Sequence, residues 1–500
     1  MTLIRRELLD NLMTFRFAAA VFITLLLVVA MTAVLLKDYE QRLASYNTAV
    51  KTHQRQLQEG KTYSVAKLSV DRPPNPLSLF NIGLDKRLGN AIRVYHGHVP
   101  TLWDAEMHGS DNIFLNLFTS IDLVFIFELV LSFLALIFAY DAIAGEHERG
   151  TLRLTLTHPV GRGHILLAKY IGAMLCLLVP FLMSLLLTVI LLTTSTAISL
   201  SFSDFLRISG IVFSSVAYLS VFYFIGLLIS VIARRTSTAL MLAMFVWGFL
   251  VLVYPSMART IINLQESPQT RTASAFNEIK QMWEEFDRER KQFFANNPGL
   301  GKDMSFLGIM RGGYTVEHVE EDSSILQYYY RIGLHVGKLK EKFEPQVPHI
   351  QNYYRFLGLQ TISTAERAWL VRERALEDIF VRPANIEKIL LKLSPVGVYD
   401  AATQAWIGTD LDGICDFFTK ARQYRQTVID YFYDKEAFGD RKWFSADKGA
   451  VDWSALPQFS FQRSDVAINA KRALPDVCLL LMLNVALFII TFLIFVKSEV

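Results

Sequence analysis

The chain has 500 residues, of which 52% are hydrophobic and 19% are charged, with a net charge of +3 and a mean hydropathy of +0.30. This composition disfavours a purely soluble protein and predicts an integral membrane protein. The net charge is small for this length, and lysine and arginine are spread along the chain, so we expect no nucleic-acid partner.

The first 36 residues predict two helices. Residues 1–16 place apolar side chains at helical spacing opposite charged ones, which is typical of an amphipathic helix lying on the cytoplasmic membrane surface. The alternative for this segment is a solvated tail. Residues 17–36 form an uncharged apolar run of spanning length without a small-residue cleavage site, which predicts a retained first transmembrane helix.

Further apolar runs of spanning length bring the total to six predicted transmembrane helices. The second to sixth predicted spans cover residues 118–139, 171–192, 208–233, 238–254 and 476–496. The third, fourth and fifth of these lie within residues 170–254. With six spans both termini are cytoplasmic, including the tail at 497–500, and basic residues concentrate in the short inner loops as charge bias requires. The predicted fold class is an all-α polytopic membrane protein of the inner (cytoplasmic) membrane.

The same parity places two long segments, 37–117 and 255–475, outside the membrane. The first begins with helical apolar spacing, which predicts that the first span continues outward as an amphipathic stalk. Helical patterning in the second predicts helices at residues 276–294, 325–343, 364–380 and 414–433. We therefore expect a mainly α-helical extracytoplasmic domain with minor β-structure, such as a short strand at 459–461.

Two sequence stretches approach enzyme motifs without meeting their requirements. Residues 333–338 (GLHVGK) have one residue too few between the glycines for a phosphate-binding loop, and Leu339 replaces the hydroxyl residue that binds magnesium. A zinc metalloprotease helix needs a second histidine four residues after His147, where Thr151 stands. We predict no catalytic residue and no cofactor bound by this chain.

Three histidines on the outer side were candidates for a metal site. His96 and His98 alternate as on one strand face, and His108 follows. Because the sequence places no carboxylate or cysteine partner nearby, we interpret them as surface histidines and predict no metal site.

The second predicted span contains two acidic residues, Asp122 and Glu128. An unpaired charge at mid-depth costs roughly 2.5 to 3.5 kcal/mol on insertion scales. Asp122 lies near the outer end, where it reaches water. Glu128 lies deeper, so it either forms an intramembrane polar site with a function or pairs with a neighbouring helix for structural reasons, and the sequence leaves both open.

Residues 140–169 form a compact polar segment between the second and third spans. Within it, G-E-H-E-R-G-T-L-R, followed by H-P-V-G-R-G and I-L-L-A-K, resembles the signature of type-2 ABC transporter permeases. Six spans with cytoplasmic termini also agree with that family. Residues 73–84, 254–259 and 394–418 resemble recurring segments of a subgroup with a large extracytoplasmic domain between the fifth and sixth spans.

This resemblance implies a permease that forms a dimer with a second copy or a paralogue and is engaged by a separate ABC ATPase. ATP and magnesium would bind to that ATPase, and this chain would not be catalytic. Membrane lipid and a periplasmic protein are further candidate partners. The residues that match the ATPase-coupling segment are Glu146, Glu148, Arg149, Gly150, Thr151, Leu152, Arg153, Pro159, Arg162 and Lys169.

Two functions are compatible with these features. The first is the membrane subunit of an ATP-driven exporter, in which ATP hydrolysis by the partner drives extrusion of an unidentified substrate. The second is a mechanotransmitter or assembly scaffold that moves no solute and uses ATP to change its extracytoplasmic domain. A membrane-bound hydrolase is disfavoured because the sequence contains no recognisable catalytic constellation.

Overall fold

The computed structural model describes residues 2–66, 68–104, 121–152, 161–263, 269–297, 314–322, 326–335 and 341–497. Within these residues, six helices are long and apolar enough to cross a membrane. We call them spans 1 to 6, in chain order Phe15–Gln58, Leu123–Glu148, Arg162–Thr194, Phe202–Ile232, Thr236–Ala258 and Val466–Lys497. The predicted all-α polytopic membrane fold is confirmed.

Spans 2 and 5 are interrupted by single π-helical turns. Span 2 consists of Leu123–Ile126, the π turn Phe127–Leu131, Ser132–Ala139 and, after a turn, Ala144–Glu148. Span 5 and its extension consist of Thr236–Gly248, the π turn Phe249–Val253 and Tyr254–Asn263. The two spans meet beside these turns, where the Trp247 indole donates to Ser132 Oγ at 2.9 Å. Wider turns of this kind often occur at functional sites.

Both ends of the described chain lie at one end of the helical bundle. Helix α1 (Thr2–Leu12) packs on span 3. The two helices approach closely at Gly172, where an added Cβ would lie 2.9 Å from Glu7 Cβ. Span 6 ends nearby, and Arg162 Nη1 donates to the Val496 carbonyl oxygen at 2.6 Å. We call this the terminal end and the opposite one, which carries the long connections, the insertion end.

Span 1 links the two ends as one continuous helix. Its 44 residues, at about 1.5 Å each, extend roughly 66 Å, about twice the hydrocarbon thickness of a bilayer. The apolar run and the amphipathic pattern after it therefore form a single element. Near its far part, Arg42 Nη1 lies 2.9 Å from Asp85 Oδ2, and Lys86 Nζ lies 2.8 Å from Asp38 Oδ2. These ion pairs hold the helix against the insertion end.

The insertion end contains further helices and two small antiparallel sheets. The helices are α2 (Gln269–Asn296), α3 (Val347–Leu376), α4 (Arg382–Leu391), α5 (Pro395–Ile407) and α6 (Leu411–Asp434). Strand β1 (Leu68–Asp71) pairs with β2 (Ala91–Val94), and β3 (Tyr314–Asp322) pairs with β4 (Gln327–His335). Short turns of helix are Tyr63–Val65, Pro76–Leu79, Leu102–Asp104, Glu341–Gln346, Glu377–Val381, Ala437–Gly439 and Arg441–Trp443.

The helix predicted at residues 325–343 is wrong. Residues Gln327–His335 form β4, and their partner β3 supplies the backbone hydrogen bonds in a register that pairs Tyr314 with His335. The run Tyr328, Tyr329, Tyr330 is rich in strand-forming aromatic residues, and a short apolar window does not distinguish the two periods. The strand predicted at 459–461 is also wrong, since these residues are irregular. The other predicted helices fall within α2, α3 with its π turn, and α6.

Helix α5 packs between spans 4 and 6. The Tyr399 ring stacks on Tyr218 with 4.4 Å between centroids, and its hydroxyl lies 2.7 Å from Ser215 Oγ. Tyr218 lies midway along span 4. At the other end of α5, an added Cβ at Gly210 would overlap the Trp406 indole. A helix from the long connection between spans 5 and 6 is therefore part of the bundle itself.

The expectation of surface histidines is wrong for His96 and His98. His98 is 9% exposed, and its Nε2 lies 3.1 Å from Asp104 Oδ1. His96 is largely buried, with its ring 5.3 Å from the Trp443 ring and 5.5 Å from that of Phe438. His108 lies outside the described residues. In the part of the chain that the structure describes, no group of three or more metal-binding side chains is placed to hold an ion.

The burial of His96 predicts acid sensitivity of the insertion end. Burial, with a smaller contribution from the Arg425 charge, lowers the pKa of His96 to about 3, whereas an unfolded histidine has a pKa near 6.5. Between these values the unfolded chain binds a proton that the folded chain does not. Stability therefore falls as the pH drops below about 6.5, by about 2.7 kcal/mol at pH 4.5.

This prediction is checked with the substitution His96→Phe, which keeps an aromatic ring in the cluster and removes the titration. Denaturant unfolding of the purified protein in detergent, followed by tryptophan fluorescence, is compared at pH 7.5 and 4.5. We expect the loss on acidification to be smaller in His96→Phe than in the wild type. An equal loss in both proteins would contradict the assignment.

Candidate junction site at the terminal end

A short helix at the terminal end, Ala144–Glu148, is bonded to most of its neighbours, and we call it the junction helix. At its start, Ser230 Oγ of span 4 accepts hydrogen bonds from the backbone N–H groups of Ile143 (2.9 Å) and Ala144 (3.0 Å). A helix start leaves such donors without intrahelical partners, so this hydroxyl acts as a cap from another span. Just beyond its end, Gly150 has φ +70°, a left-handed conformation that favours glycine.

The side chain of Lys169 connects the junction helix to α1. Lys169 Nζ lies 2.7 Å from Glu146 Oε1 and 3.0 Å from Glu7 Oε1, and the lysine side chain is only 5% exposed. A buried ammonium group is stable only when it is paired and hydrogen-bonded. The two carboxylates therefore hold span 3, α1 and the junction helix in one arrangement.

A second ion pair connects the junction helix to span 1. Arg16 lies at the start of that span, and its guanidinium donates to Asp141 Oδ2 at 2.9 Å and to the Tyr140 hydroxyl at 2.8 Å. It also lies over the Tyr140 ring, 5.1 Å from the centroid. This pair is half-exposed, so solvent weakens its energy. Its main effect is to orient the turn that precedes the junction helix.

Glu148 caps the helix that begins span 5. Its Oε2 accepts from the Thr236 backbone N–H at 2.9 Å and from the Thr236 hydroxyl at 2.7 Å. A carboxylate at a helix N-terminus also interacts favourably with the helix dipole. Arg162 caps the other kind of helix end, because it donates to the carbonyl oxygens of Phe495 and Val496 at the C-terminal end of span 6. The junction helix and its flanking residues are thus bonded to spans 1, 3, 4 and 5, and Lys169 and Arg162 of span 3 extend the contacts to α1 and span 6.

One side of this segment remains open to solvent. Residues 147–151 are exposed, whereas Leu152 is buried in the hydrophobic core. Among the described residues, the Arg149 side chain donates only to the junction helix, through Nε to the Gly145 carbonyl oxygen at 3.0 Å. The segment therefore has an anchored side and a solvent-facing side. Arg153 and Pro159 lie outside the described residues.

The structure gives the predicted residues different positions. Glu146 belongs to the predicted ATPase-coupling segment together with Glu148 and Arg149, but its carboxylate turns toward Lys169. Glu148 and Arg149 are exposed. Thr151 is also exposed, and its Oγ1 donates to the Glu146 carbonyl oxygen at 3.3 Å. The charged set is thus divided between internal contacts and the open side.

Asp122 and Glu128 lie away from the junction site. Asp122 caps span 2 at the insertion end, where Oδ1 accepts from Phe125 N at 2.8 Å and Oδ2 accepts from Ile82 N at 3.0 Å. Glu128 is buried in the π turn of span 2, and its backbone oxygen accepts from the Tyr218 hydroxyl at 3.0 Å. The expectation that Asp122 reaches water is wrong, because its side chain is buried and connects span 2 to the preceding segment. Glu128 lies where span 2 meets span 4.

Sequence reasoning missed four residues of the junction site. Glu7 and Arg16 carry a signal, because each is a charge at the edge of an apolar face or run that must find a partner. Ser230 and Thr236 carry none, because small hydroxyl residues are common in membrane helices and only the folded structure shows what they bond.

The fold and this site define a multi-pass membrane protein with a charged helix at one end. Over residues 1–499 the chain matches the family described as ABC-2 family transporter protein. It belongs to the ABC-2 transporter family.

Curated relatives match a shorter region. The chain is 37% identical over 136 residues to the probable ABC transporter permease protein NosY of Stutzerimonas stutzeri, and 35% identical over 136 residues to the protein of that name from Pseudomonas aeruginosa. Each match covers 27% of this chain and 48% of the relative. The chain therefore spans about half the length of the curated relatives it matches.

The Lys169 contacts predict a specific pattern of stability. Lys169→Met leaves two adjacent, largely buried carboxylates without their cation, and we expect it to lower the free energy of unfolding by about 3 kcal/mol. Replacing both carboxylates as well, in Lys169→Met with Glu7→Gln and Glu146→Gln, removes the unpaired charges and should restore most of this loss.

Thermal unfolding of the purified variants in detergent measures this effect. The matched control is Lys291→Met, since Lys291 is 71% exposed in α2 and its removal should change little. A triple variant less stable than Lys169→Met alone would contradict the proposed pairing.

Proposed function

We propose that this chain is the membrane permease subunit of an ABC transporter, driven by a separate ABC ATPase that carries ATP and magnesium. Membership of the ABC-2 family supports this function. The names of the two relatives, both probable ABC transporter permease proteins, support it further. In this proposal the chain transmits motion and does not itself catalyse a reaction.

The observation that carries the proposal is the junction helix with one side anchored and one side open. Its anchors are the buried Lys169 ion pairs, the Ser230 cap and the Glu148 contact to Thr236. A partner that displaces the exposed residues 147–151 must either move these elements together or break a buried ion pair. Breaking the pair is costly, so motion of the spans is favoured. This arrangement suits a receiver of ATP-derived force.

The orientation that follows puts the terminal end in the cytoplasm and the insertion end on the other side of the inner membrane. Basic residues at the terminal end, including Arg16, Arg234 and Arg235, agree with the charge bias of inner loops. We further propose export of an unidentified substrate by a dimer with a second copy or a paralogue. The large insertion between spans 5 and 6, with the subgroup resemblance of its segments, is the candidate contact for a periplasmic protein.

The coupling role predicts the effect of reversing charge on the open side. The double substitution His147→Glu and Arg149→Glu keeps the contacts of Lys169, Ser230 and Glu148. It places negative charge on the exposed surface and so weakens electrostatic complementarity with the ATPase. We expect permease-stimulated ATPase activity to fall at least tenfold, the equivalent of about 1.4 kcal/mol. ATP hydrolysis is measured with both proteins reconstituted in nanodiscs.

The control exchanges the charges of an ion pair at the insertion end, in Arg422→Glu with Glu373→Arg. In the wild type, Arg422 Nη1 lies 3.1 Å from Glu373 Oε1. The exchange should leave stimulation unchanged. Full stimulation by the His147 and Arg149 double variant, with normal membrane insertion, would refute the coupling role.

A second candidate function is a mechanotransmitter that moves no solute. One observation favours it: span 1 is continuous from the terminal end to the insertion end, where Arg42 contacts Asp85, Asp38 and Ser78. Such a helix can transmit displacement directly to the insertion domain. Transport and transmission are separable because only transport changes the contents of a vesicle.

Proteoliposomes loaded with a membrane-lipid and metabolite extract separate the two functions. We expect ATP with the partner ATPase to deplete at least one component, measured by mass spectrometry, while a fluorophore at exposed Lys291 reports movement of the insertion domain. The His147 and Arg149 double variant should show neither. Movement of the fluorophore without depletion of any component would favour the mechanotransmitter and exclude export of the components tested.

A further inference from the structure

A polar cavity lies at the insertion end, where span 4 and span 6 begin and α5 ends. The cavity is small and opens to solvent. Three arginines line it, together with the amides of Asn75 and Asn469. They come from distant parts of the sequence, at Arg72, Arg207 and Arg463. Three guanidinium groups around one small space are costly unless anions compensate them.

Two of these three charges have carboxylate partners. Arg72 Nη1 lies 2.8 Å from Asp85 Oδ1, and Arg463 Nη2 lies 2.8 Å from Asp204 Oδ1. Arg463 also donates to Asn75 Oδ1 at 3.0 Å, which fixes its position across the cavity. Arg72 and Arg463 therefore each have an ion-pair partner, and the third arginine is Arg207.

Arg207 forms no ion pair with a described residue. It is 3% exposed, and its one hydrogen bond to a described residue goes from Nη2 to the Ser464 carbonyl oxygen. Its Nε and Nη1 groups are buried and have no acceptor among the residues that the structure describes. No carboxylate in that part of the chain lies within ion-pair distance of Arg207. Asp204 and Asp465 act on its charge only from beyond that distance, so the cavity contains unused donors on a buried, planar fork.

The groups around Arg207 carry charge of both signs, since the Asp465 carboxylate beside the start of span 6 also acts on Arg207. Arg72 is 5% exposed, and its Nε also has no acceptor in the described part of the chain. Ser464 and Asn469 flank the beginning of span 6 at Val466, and the first N–H groups of a long helix carry partial positive charge. Guanidinium groups match the geometry of phosphate and carboxylate oxygens. The chemistry that fits the cavity is an oxyanion.

Lipid-facing residues adjoin the site in sequence. Phe205 and Leu206 precede Arg207 in span 4, and Ile468 precedes Asn469 in span 6; all three are exposed apolar side chains on membrane helices. A phosphate bound near Arg207 would thus lie at the level where the apolar surface of these spans begins. Phospholipid headgroups occupy this level of a bilayer.

We propose that Arg207, supported by Arg72 and Arg463, forms a binding site for a phosphate group at the insertion end. The group is either the headgroup phosphate of a membrane lipid or a free phosphate. Its oxygens would accept hydrogen bonds from Arg207 Nε and Nη1, the two donors that have no acceptor among the described residues. The site is independent of the permease role, because it involves neither the junction helix nor the ATPase.

The test follows thermal unfolding of the full-length protein in a neutral detergent. Inorganic phosphate should raise the unfolding midpoint with saturation, and sodium chloride at equal ionic strength should not. In Arg207→Gln we expect the midpoint without phosphate to be equal or higher, because an unpaired buried charge is removed. The phosphate concentration for half-saturation should rise at least tenfold. Arg422→Gln, an exposed change in the insertion domain, should respond like the wild type.

A second arm identifies the source of the phosphate. Wild-type protein and Arg207→Gln are placed in nanodiscs of phosphatidylcholine, with or without phosphatidylglycerol, and bound lipid is counted by native mass spectrometry. Retention of phosphatidylglycerol by the wild type, lost in Arg207→Gln, assigns a lipid headgroup. A response to inorganic phosphate without such retention assigns a free phosphate.

Arg207→Lys keeps the charge and loses the planar fork, so it provides the comparison if Arg207→Gln does not fold. We expect its half-saturation to lie severalfold above that of the wild type. The proposal is overturned if neither phosphate nor phosphatidylglycerol affects the wild type, if chloride acts equally, or if the Arg207 variants respond as the wild type does.

Discussion

A buried ammonium group, that of Lys169, constrains the terminal end of this protein more than any other single group. Its two carboxylate partners come from α1 and from the junction helix, so three separate parts of the chain must meet at one point. Gly172, one helical turn further along span 3, allows the required approach of α1. Because an unpaired charge at this depth is costly, the junction helix cannot move far without α1 and span 3. The resulting coupling is local, electrostatic and stiff.

The two ends of the bundle are connected by different means. Span 1 runs the whole distance as one helix and is held at the insertion end through Arg42. Spans 2 and 5 instead contain π turns near the point where Trp247 bonds to Ser132. A wider turn changes the direction of a helix and provides a place where it can shift with little loss of hydrogen bonding. One rigid element beside two interrupted ones is a combination that can convert a push at one end into relative movement of the spans.

The sequence predicts the parts of this structure that depend on hydropathy and on local signals. The six apolar runs correspond to the six spans, and the polar segment at residues 140–169 indicated the site because charges between two membrane helices must lie at a surface. The sequence did not predict contacts between residues that are far apart in the chain. Nothing local indicates that Ser230 caps a helix 86 residues earlier in the chain, that Tyr399 stacks against the middle of span 4, or that β4 finds a strand partner in β3. Each depends on which surfaces meet after folding.

Lys169 and Arg207 show how one rule gives opposite outcomes at the two ends. Both are almost fully buried cations on membrane helices, and both must be neutralised by something nearby. Lys169 receives two carboxylates from its own chain, so its charges are internally compensated and it serves to hold elements together. Arg207 donates to one carbonyl oxygen and forms no ion pair with a described residue, since Asp204 pairs with Arg463 and Asp465 acts on Arg207 only from a longer distance. The Lys169 charge is paired within the chain, which favours a rigid arrangement. Arg207 has no ion-pair partner among the described residues, which favours binding of an external anion. This difference supports the two proposals, a coupling role for the terminal end and a phosphate site at the insertion end.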